Sequence, residues 1–417
     1  DTAVSRAATT TATTAALTGS DGTVHATVDA AVTSNDTAIL TGSDGTVHAT
    51  VDAAVTSNDA TAISTAVAAA SSFTSLTDLV AAYTALVTPV TEALTTATNN
   101  LVGSASSDTF TGTFGTGATL TAADTIIDST TSDADTLTLT GAAFGNSADT
   151  STATITNIET VNIVFDTLTA ATIDAAGISS ASTINASNVR AGSGAALTVT
   201  NITDGSTLSI SDFNTVTNAT ADAGGDLTLN ANSATTNVRG TVSTDGVLTV
   251  NAAAATGTVR GDSATGDVTI NGAAATVLTA NSTSGDITVT GAANANVDAV
   301  STAAGNITVT TALADDVVAT TTGAGTVTAT GEGDTAMTVT ARTSTVTLSA
   351  NDAVNNATVT ATGTGAGVES DTLNVTSGDD FTIANQAADV VETIDVTGTA
   401  AIDATITTST ATTYTGD

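Results

Sequence analysis

The amino-acid sequence predicts a mainly β protein: a right-handed parallel β-solenoid with coils of about 20 residues, and a small helical module near the N-terminus. Between residues 225 and 348, a turn residue, a variable residue and an apolar-Thr-apolar triplet recur at a nearly constant spacing. Apolar and polar residues alternate in the same phase in every repeat, as in half-buried strands. The 417 residues include only two Tyr, seven Phe and no Trp, so stacked small aliphatic side chains must form most of the core.

The repeats predict two columns of inward-facing side chains, because equivalent positions of successive coils lie side by side in a parallel ladder. The first column, just after the turn residues, consists of Leu227, Leu248, Val268, Ile287, Ile307, Val327 and Val346. The second column lies further along each coil and consists of Val238, Val259, Leu278, Val297, Val317 and Met337. Each coil is therefore expected to contain two short strands and two turns.

Composition divides the chain into three parts. Residues 1–59 contain a duplication, in which residues 17–36 and 40–59 are identical and predict a pair of short β units. Residues 60–102 are rich in Ala and Leu, and their apolar side chains recur at helical spacing, which predicts a helical module. Residues 103–417 predict the β-solenoid, most regular over residues 225–348.

Two smaller features of the N-terminal parts carry predictions of their own. Pro89 is the only proline and is expected to end or kink the first helix of the module, with a second short helix over residues 91–98. His25 and His48 occupy the same place in the two duplicated units. A metal ion shared by the two histidines is not favoured, because no Cys joins them and the neighbouring aspartates are expected to contact water.

The charge of the chain indicates which partners it can have. The formal net charge is −36, from 41 acidic residues against five Arg, and there is no Lys. This charge excludes nucleic acid as a partner. Mutual repulsion of the carboxylates favours bound divalent cations, and Ca²⁺ prefers oxygen ligands of this kind; a solvated acidic surface is the alternative. The chain has no Cys to form disulfides and no segment that predicts a transmembrane helix.

The richest group of candidate metal ligands lies in residues 101–139, where aspartates fall in turns between short strands. The candidates there are Asp108, Asp124, Asp128, Asp133 and Asp135. A weaker group around Glu369 contributes Asp371, Asp379 and Asp380. Aspartates from turns of successive coils can converge on one Ca²⁺ ion. The alternative is that each aspartate hydrogen-bonds its own turn, as aspartates in turns commonly do.

Three of the five arginines are assigned to one repeat position by their flanking residues. Arg190, Arg239 and Arg260 each follow a Val, and Arg239 and Arg260 are expected on adjacent coils. Two like charges at the spacing of neighbouring strands repel unless an anion lies between them. Asp245 and Asp262 are the partners within the chain; an anionic sugar or a carboxylate of a neighbouring subunit is the alternative.

Three phrases between residues 101 and 165 resemble a known family. GSASSDTFTGTF, ADTIIDSTTSDADTLTLTG and ATITNIETVNIVF are similar to the calcium-binding surface-layer proteins of Gram-negative bacteria exported by type I secretion, which have an RTX-like β-solenoid. The glycines of the RTX nonapeptide are replaced by Ser and Thr in these phrases. The resemblance implies calcium-dependent assembly into a lattice on lipopolysaccharide, with the aspartates of residues 108–135 as ligands.

These observations together predict a structural function. We expect a secreted subunit of a calcium-stabilised, self-assembling layer on the cell surface, whose partners are copies of itself and lipopolysaccharide or another surface glycan. An extracellular adhesin, or a filament or sheath subunit built on the same solenoid, is the alternative. A catalytic role is not expected, since the sequence shows no nucleophile with an acid-base partner and no phosphate-binding loop.

Overall fold

The computed structural model describes most of the chain beyond residue 83 as a parallel β-solenoid. The described residues are 84, 86–142, 145–190, 195–221, 225–291, 296–311, 316–321, 325–332, 336–341, 343–349, 357–362, 372–377, 381–385, 393–398, 404–407 and 413–416. They belong to two compact units. The first comprises Asp1–Ala142, Ser151–Asn162 and Gly177–Ala181, and the second comprises Ala143–Thr150, Ile163–Ala176 and Ser182–Asp417.

The strands are short, as a narrow coil requires. Up to residue 174 they are β1 (Thr91–Ala93), β2 (Asn100–Val102), β3 (Thr109–Gly115), β4 (Thr125–Ile127), β5 (Thr136–Ala142), β6 (Ser147–Asp149), β7 (Thr154–Thr156), β8 (Thr160–Phe165) and β9 (Ala171–Asp174). Up to residue 291 they are β10 (Thr183–Asn188), β11 (Ala196–Ile202), β12 (Ser206–Ser211), β13 (Thr215–Ala221), β14 (Leu227–Asn230), β15 (Val238–Val242), β16 (Leu248–Asn251), β17 (Thr258–Ser263), β18 (Val268–Gly272), β19 (Val277–Ser282) and β20 (Ile287–Gly291). The remaining strands are β21 (Asn296–Ser301), β22 (Ile307–Thr311), β23 (Asp316–Thr321), β24 (Thr326–Glu332), β25 (Ala336–Thr340), β26 (Thr343–Ser349), β27 (Ala357–Thr362), β28 (Thr372–Ser377), β29 (Phe381–Asn385), β30 (Thr393–Gly398), β31 (Ala404–Thr407) and β32 (Thr413–Gly416).

Strands of successive coils pair in parallel within each unit. In the first unit, β1, β3 and β5 form one ladder, and β2, β4 and β7 form another. In the second unit, the even-numbered strands from β10 to β32 pair in chain order. The odd-numbered strands from β9 to β31 do the same, with β6 next to β9. The predicted parallel β-solenoid is confirmed.

The two predicted columns of core side chains are confirmed in the regular part of the solenoid. Leu227 pairs with Leu248 and Leu248 with Val268, and the series continues in register to Val327. Each of these six side chains is at most 1% exposed. The second column pairs in register from Val238 to Met337. The alternating polar residues face outward, so the narrow core contains mainly aliphatic side chains.

The predicted position of one member of the first column, Val346, is wrong. Val346 was predicted opposite Val327, but Val327 pairs with Ser344, and Val346 pairs with Ala329. The segment TSTVTLS alternates throughout, so a shift of two residues leaves positions 344, 346 and 348 on the same face of the strand. The hydrophobic pattern alone therefore does not distinguish the two registers.

The turn glycines are required because consecutive coils approach each other closely at one corner. A Cβ atom at Gly266 would lie 2.1 Å from the carbonyl oxygen of Gly246, and one at Gly285 would lie 2.1 Å from that of Gly266. A buried hydroxyl completes the corner: the Ser282 Oγ donates to the carbonyl of Gly266 at 2.9 Å and accepts from the amide of Gly285 at 2.9 Å. The backbone groups of the turn are thus satisfied inside the protein.

The second predicted helix of the helical module is wrong. Residues 91–93 form β1, which pairs with β3 because Thr91, Glu92 and Ala93 continue the ladder by one coil. Thr84 and Leu86 have helical backbone conformation, but the rest of the first predicted helix lies outside the described residues. The duplicated units of residues 1–59, with His25 and His48, also lie outside them. The division into three parts stays a prediction.

Candidate metal centre

Three acidic residues stand immediately before consecutive strands of one ladder in the first unit. Asp108 precedes β3, Asp135 precedes β5, and Glu159 precedes β8. The backbone amide of Asp108 donates to Asp135 Oδ1 at 2.7 Å, and the amide of Asp135 donates to Glu159 Oε2 at 2.9 Å. The amide of Val90, just before β1, donates to Asp108 Oδ1. Each carboxylate is therefore oriented by the backbone of the preceding coil.

Two further aspartates approach from the turn that follows β4. Asp128 directly follows this strand, and its backbone carbonyl accepts a hydrogen bond from Asn157 Nδ2 at 3.1 Å. The Thr130 hydroxyl lies 3.1 Å from Asp128 Oδ2 and 2.7 Å from Asp133 Oδ1. Thr130 thus links the two carboxylates within one turn and directs their remaining oxygens toward the strand-starting acids.

These five residues form the acidic cluster: Asp108, Asp128, Asp133, Asp135 and Glu159. Carboxylate oxygens of Asp108, Asp128 and Asp135 lie within 4.8 Å of one another, and so do those of Asp133, Asp135 and Glu159. Asp108 and Asp128 are 1% exposed and Asp135 is 0% exposed. Burying charged groups this completely requires compensation by hydrogen bonds or by opposite charge.

Hydrogen bonds do not supply all of that compensation. Asp128 Oδ1, Asp133 Oδ2 and Asp135 Oδ2 are buried and have no hydrogen-bond partner among the described residues. Residues 84–181 contain no Arg, Lys or His that could offer a positive charge. Carboxylate oxygens are the ligands that divalent cations such as Ca²⁺ prefer, so the donor set fits a metal ion.

Gly103 forms part of the wall of the cluster. A Cβ atom there would lie 2.3 Å from Asp128 Oδ1 and 2.5 Å from Asp108 Oδ2. The next residue, Ser104, donates from its hydroxyl to Asp108 Oδ1 at 3.0 Å. A larger residue at position 103 would displace the carboxylates, so the glycine is required by the site.

The electrostatics of the cluster oppose ionisation of its central residues. Burial raises the pKa of Asp128 from 3.8 to about 6, against the hydrogen bonds from Thr130 and Ser129, and the charge of Asp133 adds to the rise. Burial also raises the pKa of Asp135 to about 8, helped by the neighbouring carboxylates. A bound cation would remove this penalty, because it favours the ionised form.

Asp124 belongs to neither group of converging carboxylates. Its Oδ1 accepts from the amide of Asn99 at 2.7 Å and its Oδ2 from the amide of Thr121 at 2.6 Å. Despite burial, these hydrogen bonds lower the pKa of Asp124. Its carboxylate therefore stabilises a turn, which is the alternative the sequence left open.

The sequence analysis missed one member of the cluster and named three residues whose structure is not described. Glu159 was not among the candidates, although acid-Thr-apolar at residues 159–161 repeats the pattern of residues 108–110 and 135–137. This repeated triplet is the signal that could have identified it. Asp371, Asp379 and Asp380 lie outside the described residues, and their role as ligands stays a prediction.

The arginines of the second unit have partners within the chain. Arg239 and Arg260 pair in register on β15 and β17, as predicted. Both bind Asp262: Arg239 Nη2 lies 3.1 Å and Arg260 Nε 2.7 Å from its Oδ2. Asp262 is half-buried, which raises its pKa, yet hydrogen bonds from Arg260 and Asn281 hold this pKa below the ordinary value. Of the two partners proposed within the chain, Asp262 is therefore the one that binds the arginines.

The assignment of Arg190 to the same repeat position is wrong. Arg190 follows β10, which belongs to the even-numbered ladder, whereas Arg239 and Arg260 lie in the odd-numbered ladder. Val189 is 66% exposed, unlike the buried Val residues that precede the other two arginines. Arg190 forms an ion pair with Asp166 on the preceding coil.

Comparison with protein-family models, with curated proteins and with solved structures finds no match to this chain. Among the described residues, no helix has the length and apolar character needed to cross a membrane.

Proposed function

We propose that the chain is a structural subunit of a secreted cell-surface layer, in which bound Ca²⁺ stabilises the β-solenoid. The observation that supports this most strongly is the buried cluster of converging carboxylates with unpartnered oxygens. The cluster joins residues from coils that are separated by more than 20 positions in sequence. The backbone amide of Asp108, for example, donates to the side chain of Asp135. A cation there would connect successive coils.

Calcium suits this site better than magnesium. Ca²⁺ accepts six to eight oxygens in irregular geometry at about 2.3–2.6 Å, whereas Mg²⁺ requires a nearly ideal octahedron and keeps several waters. The cluster presents five carboxylates at irregular positions and includes no histidine or cysteine ligand. Zinc and copper sites usually include such softer ligands.

The assignment to a surface layer depends on the resemblance of residues 101–165 to surface-layer proteins, together with the solenoid and the acidic composition. The parallel ladders present long rows of identical outward residues, such as Thr228, Thr249 and Thr269, which are in register. Such repetition suits contact with other copies of the chain or with a repeating glycan such as lipopolysaccharide. We propose no catalytic role.

The proposal is tested by electron microscopy of the full chain and of Asp128→Asn, each in Ca²⁺ and in EGTA. We expect ordered two-dimensional arrays of the full chain in Ca²⁺, dispersal in EGTA, and failure of Asp128→Asn to assemble. Glu92→Gln, which removes an exposed carboxylate from β1, is the matched control and is expected to assemble normally. Arrays that persist in EGTA would contradict a role for calcium, and one-dimensional filaments would favour the adhesin or filament alternative.

A further inference from the structure

We infer that the acidic cluster binds two divalent cations and that Asp135 is a ligand shared by both. This inference depends on the proposed calcium binding and adds to it the number of ions and the ligands of each. The first ion would be bound by Asp108, Asp128 and Asp135, and the second by Asp133, Asp135 and Glu159.

The grouping of the carboxylates is the first argument. Each set of three offers oxygens within 4.8 Å of one another, but the five residues do not meet that limit as one set. Oxygens that bind one Ca²⁺ ion at about 2.3–2.6 Å lie within about 5 Å of each other across its coordination sphere. One ion therefore suits each set of three better than it suits all five, and Asp135 is common to both sets.

The unpartnered oxygens are the second argument. Asp128 Oδ1 is free in the first set, Asp133 Oδ2 is free in the second, and Asp135 Oδ2 is free where the two sets meet. Asp128 and Asp135 are almost completely buried, so neither can satisfy these oxygens with bulk water. An ion bound only by the first set would leave Asp133 Oδ2 without a partner.

Charge is the third argument. The five carboxylates carry a formal charge of −5 when ionised. One divalent cation leaves −3, and two leave −1, and residues 84–181 include no basic side chain to neutralise the rest. Like charges in a buried site repel strongly. The negative charge that remains after the first ion binds therefore favours binding of a second cation.

Carboxylates that act as ligands are normally oriented by hydrogen bonds, and both sets have such bonds. In the first, Ser104 Oγ donates to Asp108 and Thr130 Oγ1 lies 3.1 Å from Asp128 Oδ2. In the second, the amide of Asp135 donates to Glu159 at 2.9 Å. The shared residue is oriented by the amide of Asp108, which donates to its Oδ1 and leaves Oδ2 directed at the ions.

The test counts calcium ions lost from the full chain by substitution, using equilibrium dialysis with Ca²⁺ alone and native mass spectrometry. Counting losses relative to the unsubstituted chain removes the contribution of calcium bound elsewhere. We expect Asp128→Asn to lose one ion, Glu159→Gln to lose one, and the double variant to lose two. The matched control Glu92→Gln is expected to lose none. Circular dichroism in EGTA and in Ca²⁺ confirms that each variant is folded.

The outcomes separate this inference from the proposed function. If Asp128→Asn loses one ion and Glu159→Gln loses none, the cluster binds a single ion, which overturns the inference while calcium binding stands. If neither variant loses an ion, both the inference and the calcium-binding proposal are wrong. Asp135→Asn tests the sharing: loss of two ions supports it, and loss of only one in a folded variant contradicts it.

Discussion

Replacement of Asp135 by Asn should have opposite effects on stability with and without calcium. Without a cation, burial raises the pKa of Asp135 to about 8, so this carboxyl is mostly protonated in the folded protein at pH 7. Protonating a group of ordinary pKa 3.8 at pH 7 costs about 4 kcal/mol, at roughly 1.4 kcal/mol per pH unit. Asn is nearly isosteric and carries no charge, so it avoids most of that cost. We expect Asp135→Asn to raise the free energy of unfolding in EGTA by about 1–4 kcal/mol.

In Ca²⁺ the effect of Asp135→Asn on the free energy of unfolding has the opposite sign. Binding to the folded state alone adds about 2.7 kcal/mol per ion at a hundredfold excess over the dissociation constant. Asp135→Asn removes a ligand of both proposed ions, so it should lose about 5 kcal/mol of calcium-dependent stability. In calcium the variant is therefore expected to be less stable than the unsubstituted chain.

The dependence on pH provides a second check. The raised pKa means that the folded chain binds a proton more tightly than the unfolded chain between about pH 4 and pH 8. In EGTA the free energy of unfolding should therefore fall as pH rises through this window, and the fall should be smaller in Asp135→Asn. Urea denaturation at pH 5, 6, 7 and 8, in EGTA and in Ca²⁺, measures both effects, with Glu92→Gln as control. If Asp135→Asn changes stability equally in the two solutions, the cluster does not bind calcium.

Three further outcomes are expected. Gly103→Ala should abolish calcium binding by this cluster, measured by equilibrium dialysis, because its Cβ would lie 2.3 Å from Asp128 Oδ1; unchanged binding would contradict the proposed site. Gly266→Ala should lower the melting temperature sharply even in EGTA, because its Cβ would lie 2.1 Å from a backbone carbonyl, and a small effect would show that the coils can separate there. Asp262→Asn should lower the free energy of unfolding by about 1 kcal/mol at pH 7, because two half-exposed arginines lose their anion. Since the pKa of Asp262 is depressed, this deficit should shrink as pH falls below its ordinary value of 3.8, and a constant deficit would point to packing instead.

The fold could be predicted well from the sequence, because every coil of a solenoid needs the same kind of side chain at equivalent positions. A column such as Leu227, Leu248 and Val268 appears as a regular spacing in the chain and as a parallel ladder in the structure. The prediction was wrong where the pattern has two equivalent solutions, as at Val346, because alternation determines the face of a strand but not a shift of two residues. The helix predicted over residues 91–98 was wrong because pairing with β3 outweighs local helical preference.

The candidate metal centre was predictable in part. Four of the five aspartates of residues 108–135 do converge, but the sequence could not separate them from Asp124, because turn-capping and metal-binding aspartates occur in the same kind of turn. Glu159 is more than 20 positions from Asp135 in the chain, and only the pairing of successive coils brings the two together. The shared position of Asp135 likewise depends on three-dimensional geometry that the chain order does not reveal.

The corner formed by the stacked glycines has a consequence for how this protein can change in length. In the regular part of the solenoid the turn glycine meets the carbonyl of the coil before it, and this contact is nearly the same at Gly246, Gly266, Gly285 and Gly305. A coil that is duplicated or deleted as a whole would recreate the same contact with its new neighbour. An insertion of one residue at the corner would instead place a Cβ against a carbonyl. Recombination between repeats is thus a permitted route by which such a chain can grow or shrink, whereas single-residue changes at this corner are not.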